Sequence, residues 1–227
     1  MAEWRLLRGW TSDELRERLD RLSGATPVFD GPEDAMDAAH GWGHYHSDAR
    51  IATAADSEAF ERARAAIANY RFSDPDIVVA HFDPDMPLLG RVQLLEIRIW
   101  GLRYLCPVVI SRVRDEPDAY GFRYDTLAGH IEHGFEWFLL TRDGNGDIRF
   151  RIEARWQPGD LPNWWSRLGF ALLAERYQRR WHVRAHQRLA LLACHGPQQR
   201  PPTDEAGLAH QGVEVTFTYY DRRRSRP

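Results

Sequence analysis

Four titratable side chains lie close together near the middle of the chain, at His130, Glu132, His133 and Glu136. An imidazole beside a carboxylate can act as general acid and general base near neutral pH. Glycines flank and interrupt the stretch, which predicts a shaped connection between two strands. We therefore take His130, Glu132 and Glu136 as the catalytic candidates. The alternative interpretation is a solvated turn that contains a structural histidine.

Aromatic and polar residues on the predicted strands and on the long helix after them are candidates for ligand contact. Aromatic side chains dominate apolar ligand sites, and nine tryptophans are many for 227 residues. Core packing is the alternative for each aromatic residue. An inward-facing Arg123 would favour an anionic ligand group, whereas an outward-facing one would be solvated. The candidate ligand-binding residues are Tyr124, Arg123, His133, Trp137, Trp156, Tyr177 and Trp181.

A second group of metal-ligating residue types comprises His44, His46 and Asp48. On a strand these three side chains would share one face, as in a facial metal triad. His130 and His133 could share a metal only if their loop turned helically. Histidine-rich strand starts are more often simply exposed. We therefore predict no metal site and no cofactor.

The basic residues are all arginines, because the 30 Lys plus Arg include no lysine. This excludes lysine-anchored pyridoxal enzymes and conventional nucleotide phosphoryl transfer with a P-loop lysine. The net charge of −3 gives no reason to expect binding to nucleic acid or to anionic membranes. The two cysteines, Cys106 and Cys194, form no CxxC motif, and no apolar run approaches the roughly 18 residues of a membrane span. We predict a soluble, cytoplasmic protein.

Hydrophobic periodicity predicts a short helix, a strand and a second helix before a run of six strands and one long helix. The predicted helices cover 12–23, 57–70 and 163–193. The predicted strands cover 42–51, 77–82, 91–100, 105–114, 119–127, 134–142, 147–156 and 213–220. On the long helix, four arginines recur at every fourth residue, and we expect them to form its solvated back, with an anion-binding stripe as the alternative. They are Arg176, Arg180, Arg184 and Arg188.

This order of elements predicts an α+β fold of the helix-grip (START-like) type, in which a curved antiparallel sheet wraps around a long C-terminal helix. The arrangement buries the apolar faces of both elements, and a ligand cavity would lie between them. We predict an N-terminal helical arm and linker over 1–35, the helix-grip domain over 36–195, and a tail with an extra strand over 196–227.

The stretch 120–138 resembles the signature of a bacterial and plant family known as domain of unknown function nineteen-ninety. That signature runs Gly-Phe-x-Tyr-Gly-Thr-Leu-Pro-Gly-His-Pro-Glu-x-Gly-Glu-Glu-x-Phe. The chain departs from it at Asp125, Ala128, Ile131 and Phe135, as a divergent member would. The matching positions are Gly121, Phe122, Tyr124, Thr126, Leu127, Gly129, His130, Glu132, Gly134, Glu136 and Phe138. The family is similar to the lipid-transfer and polyketide-cyclase-like superfamily, which implies the helix-grip fold and brings no settled activity.

The preferred function is the binding of a small hydrophobic or amphipathic molecule between the sheet and the C-terminal helix. The first alternative is an enzyme on the same scaffold, a cyclase, isomerase or hydrolase, with His130 and either Glu132 or Glu136 as an acid–base pair. The second alternative is an interaction module without a ligand. No nucleic-acid or membrane partner is expected, and a homodimer stays open as the oligomeric state.

Overall fold

The structure is a computed structural model that describes residues 3–29, 36, 41–54, 56–159, 164–195 and 213–220, with side chains for all of these except 164–174 and 218–220. The described residues form three helices, α1 (Ser12–Arg21), α2 (Ala59–Ala68) and α3 (Trp164–His195). They also form nine strands: β1 (Glu3–Leu6), β2 (Gly43–Ala52), β3 (Val78–His81), β4 (Val92–Ile99), β5 (Leu102–Glu116), β6 (Ala119–Thr126), β7 (Glu132–Arg142), β8 (Ile148–Pro158) and β9 (Thr216–Tyr220).

The strands build one antiparallel sheet in the spatial order β3-β4-β5-β6-β7-β8-β2-β9, with β1 paired to β5 beside this path. Consecutive strands from β3 to β8 are neighbours, as hairpin connections dictate. The register shifts between Ile110 and Arg112 and again between Arg50 and Ala52. Such bulges bend a sheet and increase its twist. The antiparallel sheet is therefore curved, as predicted.

Strand β8 illustrates why the sequence forms half-buried strands. Phe150 and Ile152 are fully buried, whereas the alternate residues Arg149 and Arg151 are accessible to solvent. This period of two matches a strand that buries one face. The turn before β8 is closed by the Asp143 carboxylate, which accepts hydrogen bonds from the backbone N–H groups of Asn145 and Asp147.

The main core lies between the sheet and the helices α2 and α3. We call the sheet face that these helices cover the inner face and the opposite one the outer face. Phe122, Phe138 and Phe150 reach this core from β6, β7 and β8. They meet Phe60 and Ile67 of α2, and on α3 the residues that join the core are Trp181, Ala185, Leu189, Ala190, Leu192 and Ala193. The predicted helix-grip arrangement is confirmed.

The arginines of α3 divide between solvent and core. Arg176 and Arg180 are exposed, as predicted. The prediction of a solvated stripe is wrong for Arg184 and Arg188, which are only 7% and 8% exposed. Arg184 forms a 2.5 Å ion pair with the buried carboxylate of Asp74, so the loop after α2 supplies a partner that helical spacing alone does not reveal.

The terminal segments also contribute to the sheet. The predicted first helix is confirmed, and Thr11 caps it, because the Thr11 side chain and Glu14 form a reciprocal capping box. Strand β1 was not predicted, since it has four mostly exposed residues and is held by its pairing with β5. The predicted late strand forms as β9 on the edge of β2. Residues 196–212 and 221–227 of the predicted tail lie outside the described residues. Across the described part of the chain, no helix is both long and apolar enough to cross a membrane.

Candidate functional site

A row of neighbouring strand positions places one carboxyl group at the centre of the inner face. Glu136 of β7 is aligned with Tyr124 of β6 on one side and with Ala154 of β8 on the other, and Ala154 is aligned with Tyr45 of β2. Directly opposed residues on adjacent strands project from the same face of a sheet. Glu136 therefore points toward α3 and is only 8% exposed.

The Glu136 carboxyl group accepts a hydrogen bond from the Tyr124 hydroxyl, which is also buried. Burial disfavours the ionised carboxylate and raises the pKa of Glu136 to about 7, although the hydrogen bond from Tyr124 acts in the opposite direction. Burial also raises the pKa of Tyr124, and the negative charge of Glu136 adds to this effect. Glu136 can therefore exchange a proton near neutral pH.

On α3, His182 faces Glu136 across the interface. His182 Nε2 lies 3.5 Å from Glu136 Oε1, and His182 Nδ1 lies 2.6 Å from Ser47 Oγ on β2. One helical turn later, His186 Nε2 lies 2.9 Å from the same hydroxyl oxygen. Burial lowers the pKa of His182 to about 3 and that of His186 well below its ordinary value. Both imidazoles are therefore neutral at neutral pH.

The single hydroxyl proton of Ser47 couples the two imidazoles to Glu136. If Ser47 donates to His182 Nδ1, the proton of this neutral ring lies on Nε2 and faces Glu136, which suits an ionised carboxylate. If Ser47 donates to His186 instead, His182 carries its proton on Nδ1 and presents a lone pair to Glu136, which suits a protonated carboxyl group. The charge on Glu136 thus selects the tautomer of His182.

A second carboxyl group lies on the inner face, four residues before Glu136. Glu132 Oε1 accepts a hydrogen bond of 3.0 Å from Gln178 Nε2 of α3. Burial raises the pKa of Glu132 to about 8, and the negative charge of Glu136 contributes to the shift. The other amide atom of Gln178, Oε1, is buried and has no hydrogen-bond partner among the described residues.

Tyr70 approaches the same region from the residues that follow α2. Its backbone has φ of 54°, in the left-handed region that non-glycine residues seldom adopt. The side chain is 5% exposed, and its hydroxyl group has no hydrogen-bond partner among the described residues. Burial raises the pKa of Tyr70, and the negative charge of Glu136 raises it further, which places the hydroxyl group in the electrostatic field of that carboxylate.

Six of the ten residues proposed from the sequence lie on the inner side of the sheet or on α3. Tyr124, Glu132 and Glu136 belong to the polar cluster just described. Trp181 joins the core, donates a 3.0 Å hydrogen bond from Nε1 to Ser73 Oγ, and packs edge-on against Phe138. The remaining two are half-buried: Tyr177 on α3 and Trp156 on β8, whose ring covers Gly43.

Arg123 and Trp137 lie on the outer face, because they alternate with Tyr124 and Glu136 along β6 and β7. Arg123 is nevertheless 4% exposed. It forms a 2.5 Å ion pair with Asp125, and its guanidinium group lies 4.0 Å from the centre of the Phe135 ring. Trp137 packs against the same outer cluster as Phe135. Arg123 is thus neither turned toward the inner face nor solvated.

His130 lies in the connection between β6 and β7, and His133 is the second residue of β7, near the end of the sheet. His130 Nδ1 accepts a 2.9 Å hydrogen bond from the backbone N–H of Glu132, so its contact is with the backbone of that residue and not with a carboxylate. Burial lowers the pKa of His130 to about 4. The imidazole that the structure places opposite Glu136 is therefore His182 and not His130.

The alternation predicted for His44, His46 and Asp48 is present on β2. His44 Nε2 contacts Glu153 at 3.2 Å, and Asp48 pairs with Arg149. Among the residues that the structure describes, no three histidine, cysteine or acidic side chains are grouped as ligands for a metal ion.

Sequence reasoning did not single out Ser47, Tyr70, Gln178, His182 or His186. A signal was present on α3, where Gln178, His182 and His186 recur every four residues beside the apolar series Trp181, Ala185 and Leu189. Polar residues on a buried helix face are unusual, because they need partners there. Ser47 and Tyr70 carry no comparable signal, since only the folded chain brings their segments to α3.

A family model described as "Domain of unknown function (DUF1990)" matches residues 24–188. The match covers more than half of the chain, so the chain belongs to this family, and the resemblance noted in the sequence is confirmed.

The proteins that are similar to this chain include two UPF0548 relatives and one solved structure. A UPF0548 protein of Deinococcus radiodurans is 33% identical over 113 residues, which cover 45% of this chain and a little over half, 57%, of the relative. A UPF0548 protein of Arabidopsis thaliana is 26% identical over 151 residues, covering 63% of this chain and 70% of the relative. The crystal structure of the hypothetical protein jhp0584 from Helicobacter pylori aligns with a TM-score of 0.50 and 7% identity, covering 74% of this chain and 97% of that one. At that identity the likeness concerns the fold alone.

Proposed function

We propose that this member of the family binds a small, largely apolar ligand between the inner face of the sheet and α3, next to Glu136. The observation that carries the proposal is the buried hydroxyl group of Tyr70, which has no hydrogen-bond partner among the described residues and lies within the electrostatic field of Glu136. Ligand sites combine an apolar lining with a few polar groups that fix orientation, and Tyr70, Tyr124 and Glu136 are such a set.

The surroundings of these polar groups are aromatic. The ring centre of Tyr70 lies 5.8 Å from that of Phe138, which in turn lies 6.2 Å from that of Trp181. The ring of Phe72 lies between those of Tyr70 and Trp181. Its centre is 4.7 Å from the ring centre of Tyr70 and 6.4 Å from that of Trp181. Aromatic rings offer large apolar contact surfaces, so this region suits the apolar part of a ligand.

The unpartnered hydroxyl group supports binding on energetic grounds. Leaving a buried donor without a partner costs about 1–3 kcal/mol, because the group loses its hydrogen bonds to water on folding. The left-handed backbone at Tyr70 adds about 1 kcal/mol of strain. A ligand that hydrogen-bonds to Tyr70 would recover the first of these terms, and strain of this kind is concentrated at functional sites.

Native mass spectrometry of the full chain after incubation with a clarified cell extract tests the proposal. We expect a small-molecule adduct on the wild-type chain and its loss in Ala154→Phe, because Ala154 is the strand neighbour of Glu136 and a phenyl ring there would occupy the ligand space. Ala128→Phe adds the same ring at an exposed position and should keep the adduct.

An adduct that survives in Ala154→Phe, or the absence of an adduct on every chain, would overturn the proposal. Far-UV circular dichroism establishes that Ala154→Phe folds. If it does not, Ala154→Leu provides a smaller obstruction at the same position.

A second candidate function, acid–base catalysis on the bound ligand, is favoured by the 3.5 Å contact between His182 Nε2 and Glu136 Oε1. A carboxyl group with a pKa near the working pH is an effective general acid or base. The sequence-based version of this alternative paired His130 with a glutamate, whereas the geometry favours His182 with Glu136.

Comparing the small molecules recovered from the wild-type chain and from His182→Asn, by chromatography and mass, tests this second candidate. A ligand that is turned over should be recovered from His182→Asn in a chemically different form. Identical molecules from both chains would contradict catalysis and leave ligand binding unaffected.

A further inference from the structure

We propose that the polar end of the ligand is a basic amine, held as an ammonium ion between the carboxylates of Glu132 and Glu136. This inference rests on the proposed function, since it names the chemical class of the molecule that would occupy the same site.

The first argument is the absence of a compensating cation for two acids on the inner face. The basic side chain next to Glu136 is that of His182, and burial keeps its imidazole neutral. Among the described residues, no arginine forms an ion pair with Glu132 or Glu136, and the chain contains no lysine. A buried carboxyl group without a cationic partner is kept neutral by protonation instead, through a raised pKa. A cationic ligand would supply the missing partner.

The second argument is the excess of hydrogen-bond acceptors. Gln178 donates its amide to Glu132 and leaves its buried Oε1 without a partner among the described residues. An ammonium group has three N–H donors and no acceptor, so its hydrogen-bonding capacity matches this excess of acceptors. The unpartnered hydroxyl oxygen of Tyr70 adds a further acceptor, and its side chain is 5% exposed. A ligand carboxylate would be repelled by the negative charge of the two glutamates and should bind more weakly than an amine.

The groups that face Glu132 and Glu136 also determine how binding depends on pH. They are Tyr124 on the sheet, Tyr70 after α2, and Gln178 and His182 on α3. Burial raises the pKa of Glu132 to about 8 and of Glu136 to about 7, so part of the population is protonated at neutral pH. An ammonium ion favours the ionised carboxylates. Binding should therefore release protons and should weaken as the solution is made more acidic.

The experiment compares decylamine, 1-decanol and decanoate, which share one apolar chain, by isothermal titration calorimetry with the full chain at about pH 7.5. We expect decylamine to bind at least about tenfold more tightly than 1-decanol and decanoate to bind most weakly. Glu132→Gln and Glu136→Gln, which keep the side-chain shape, should each reduce the affinity for decylamine about tenfold or more without changing that for 1-decanol. Glu153→Gln, on the outer face of β8, is the matched control and should leave all three affinities unchanged.

The outcomes separate the two proposals. Equal affinities for decylamine and 1-decanol would overturn the amine assignment and leave ligand binding intact, whereas no binding of any of the three would overturn both. If a glutamine variant fails to fold, titration of the wild-type chain in buffers of different ionisation enthalpy gives an independent result. Proton release on binding decylamine supports the assignment, and its absence contradicts it.

Discussion

His182 Nε2 lies 3.5 Å from Glu136 Oε1, so a neutral imidazole on α3 and a carboxyl group on β7 face each other inside the protein. Through its other ring nitrogen, His182 contacts Ser47 on β2. One helical side chain thus connects two strands that are separated in the sheet by β8. The stability of this interface and its response to pH both depend on these contacts.

Replacing Ser47 with alanine should lower the free energy of unfolding by about 1–3 kcal/mol, because two buried imidazole nitrogens lose their shared hydrogen-bond partner. Urea denaturation at neutral pH measures the change. Ser23→Ala, at an exposed position, is the control and should change the free energy by less than about 0.5 kcal/mol. Equal effects of the two substitutions would show that the Ser47 contacts do not stabilise the fold.

Replacing Glu136 with glutamine should change how stability depends on pH. An exposed glutamate titrates at about pH 4.3, whereas burial raises the pKa of Glu136 to about 7. The stability contributed by the protonated group is fully present below the unfolded pKa and is lost as pH rises through the folded pKa. Glutamine cannot ionise, so the free energy of unfolding of the variant relative to wild type should rise between about pH 5 and about pH 8, by up to roughly 3 kcal/mol.

Urea titrations of both chains across this range measure that difference. The contribution from His130, whose lowered pKa affects stability as the solution becomes acidic, is common to both chains and cancels, because its hydrogen bond is with the backbone of Glu132 and not with Glu136. Glu153→Gln is the control: the hydrogen bond from His44 lowers the pKa of Glu153, so this variant should show no such rise. A flat difference for Glu136→Gln would contradict the raised pKa of Glu136.

Replacing Arg184 with alanine should reduce stability by about 3–5 kcal/mol, because the buried carboxylate of Asp74 would lose its ion-pair partner. Arg180→Ala removes an exposed arginine one turn earlier and should have an effect within about 0.5 kcal/mol. Thermal or urea denaturation distinguishes the two. The double variant Asp74→Asn with Arg184→Met should recover part of the loss, and failure to do so would indicate that Arg184 acts through packing alone.

Replacing Gly121 with alanine should destabilise the protein by about 3 kcal/mol or more, since a Cβ atom there would lie 1.9 Å from the backbone oxygen of Phe138. Gly144→Ala is the matched control, because its Cβ would meet no atom within 4 Å. The melting temperatures of the two variants test this prediction. A stable Gly121→Ala chain would mean that β6 and β7 can separate locally without loss of the fold.

The sequence alone predicted which residues of β8 are buried, because Phe150 and Ile152 alternate with arginines at a period of two. It did not decide the faces of β6 and β7, since the candidates taken from the sequence include neighbours that lie on opposite faces, Tyr124 with Arg123 and Glu136 with Trp137. The family signature points to the same stretch. It could not show that Tyr70 would join this stretch, because the segment after α2 adopts a left-handed backbone that its residue types do not predict.

The long helix marks the boundary between what the sequence determined and what only the tertiary structure decided. Helical periodicity determined that α3 exists and that Trp181, Ala185 and Leu189 share one face. It did not determine that Gln178, His182 and His186 meet Glu132, Glu136 and Ser47, or that Arg184 meets Asp74. Those contacts depend on how α3 is rotated and placed across the curved sheet, which results from the packing of all the core side chains together.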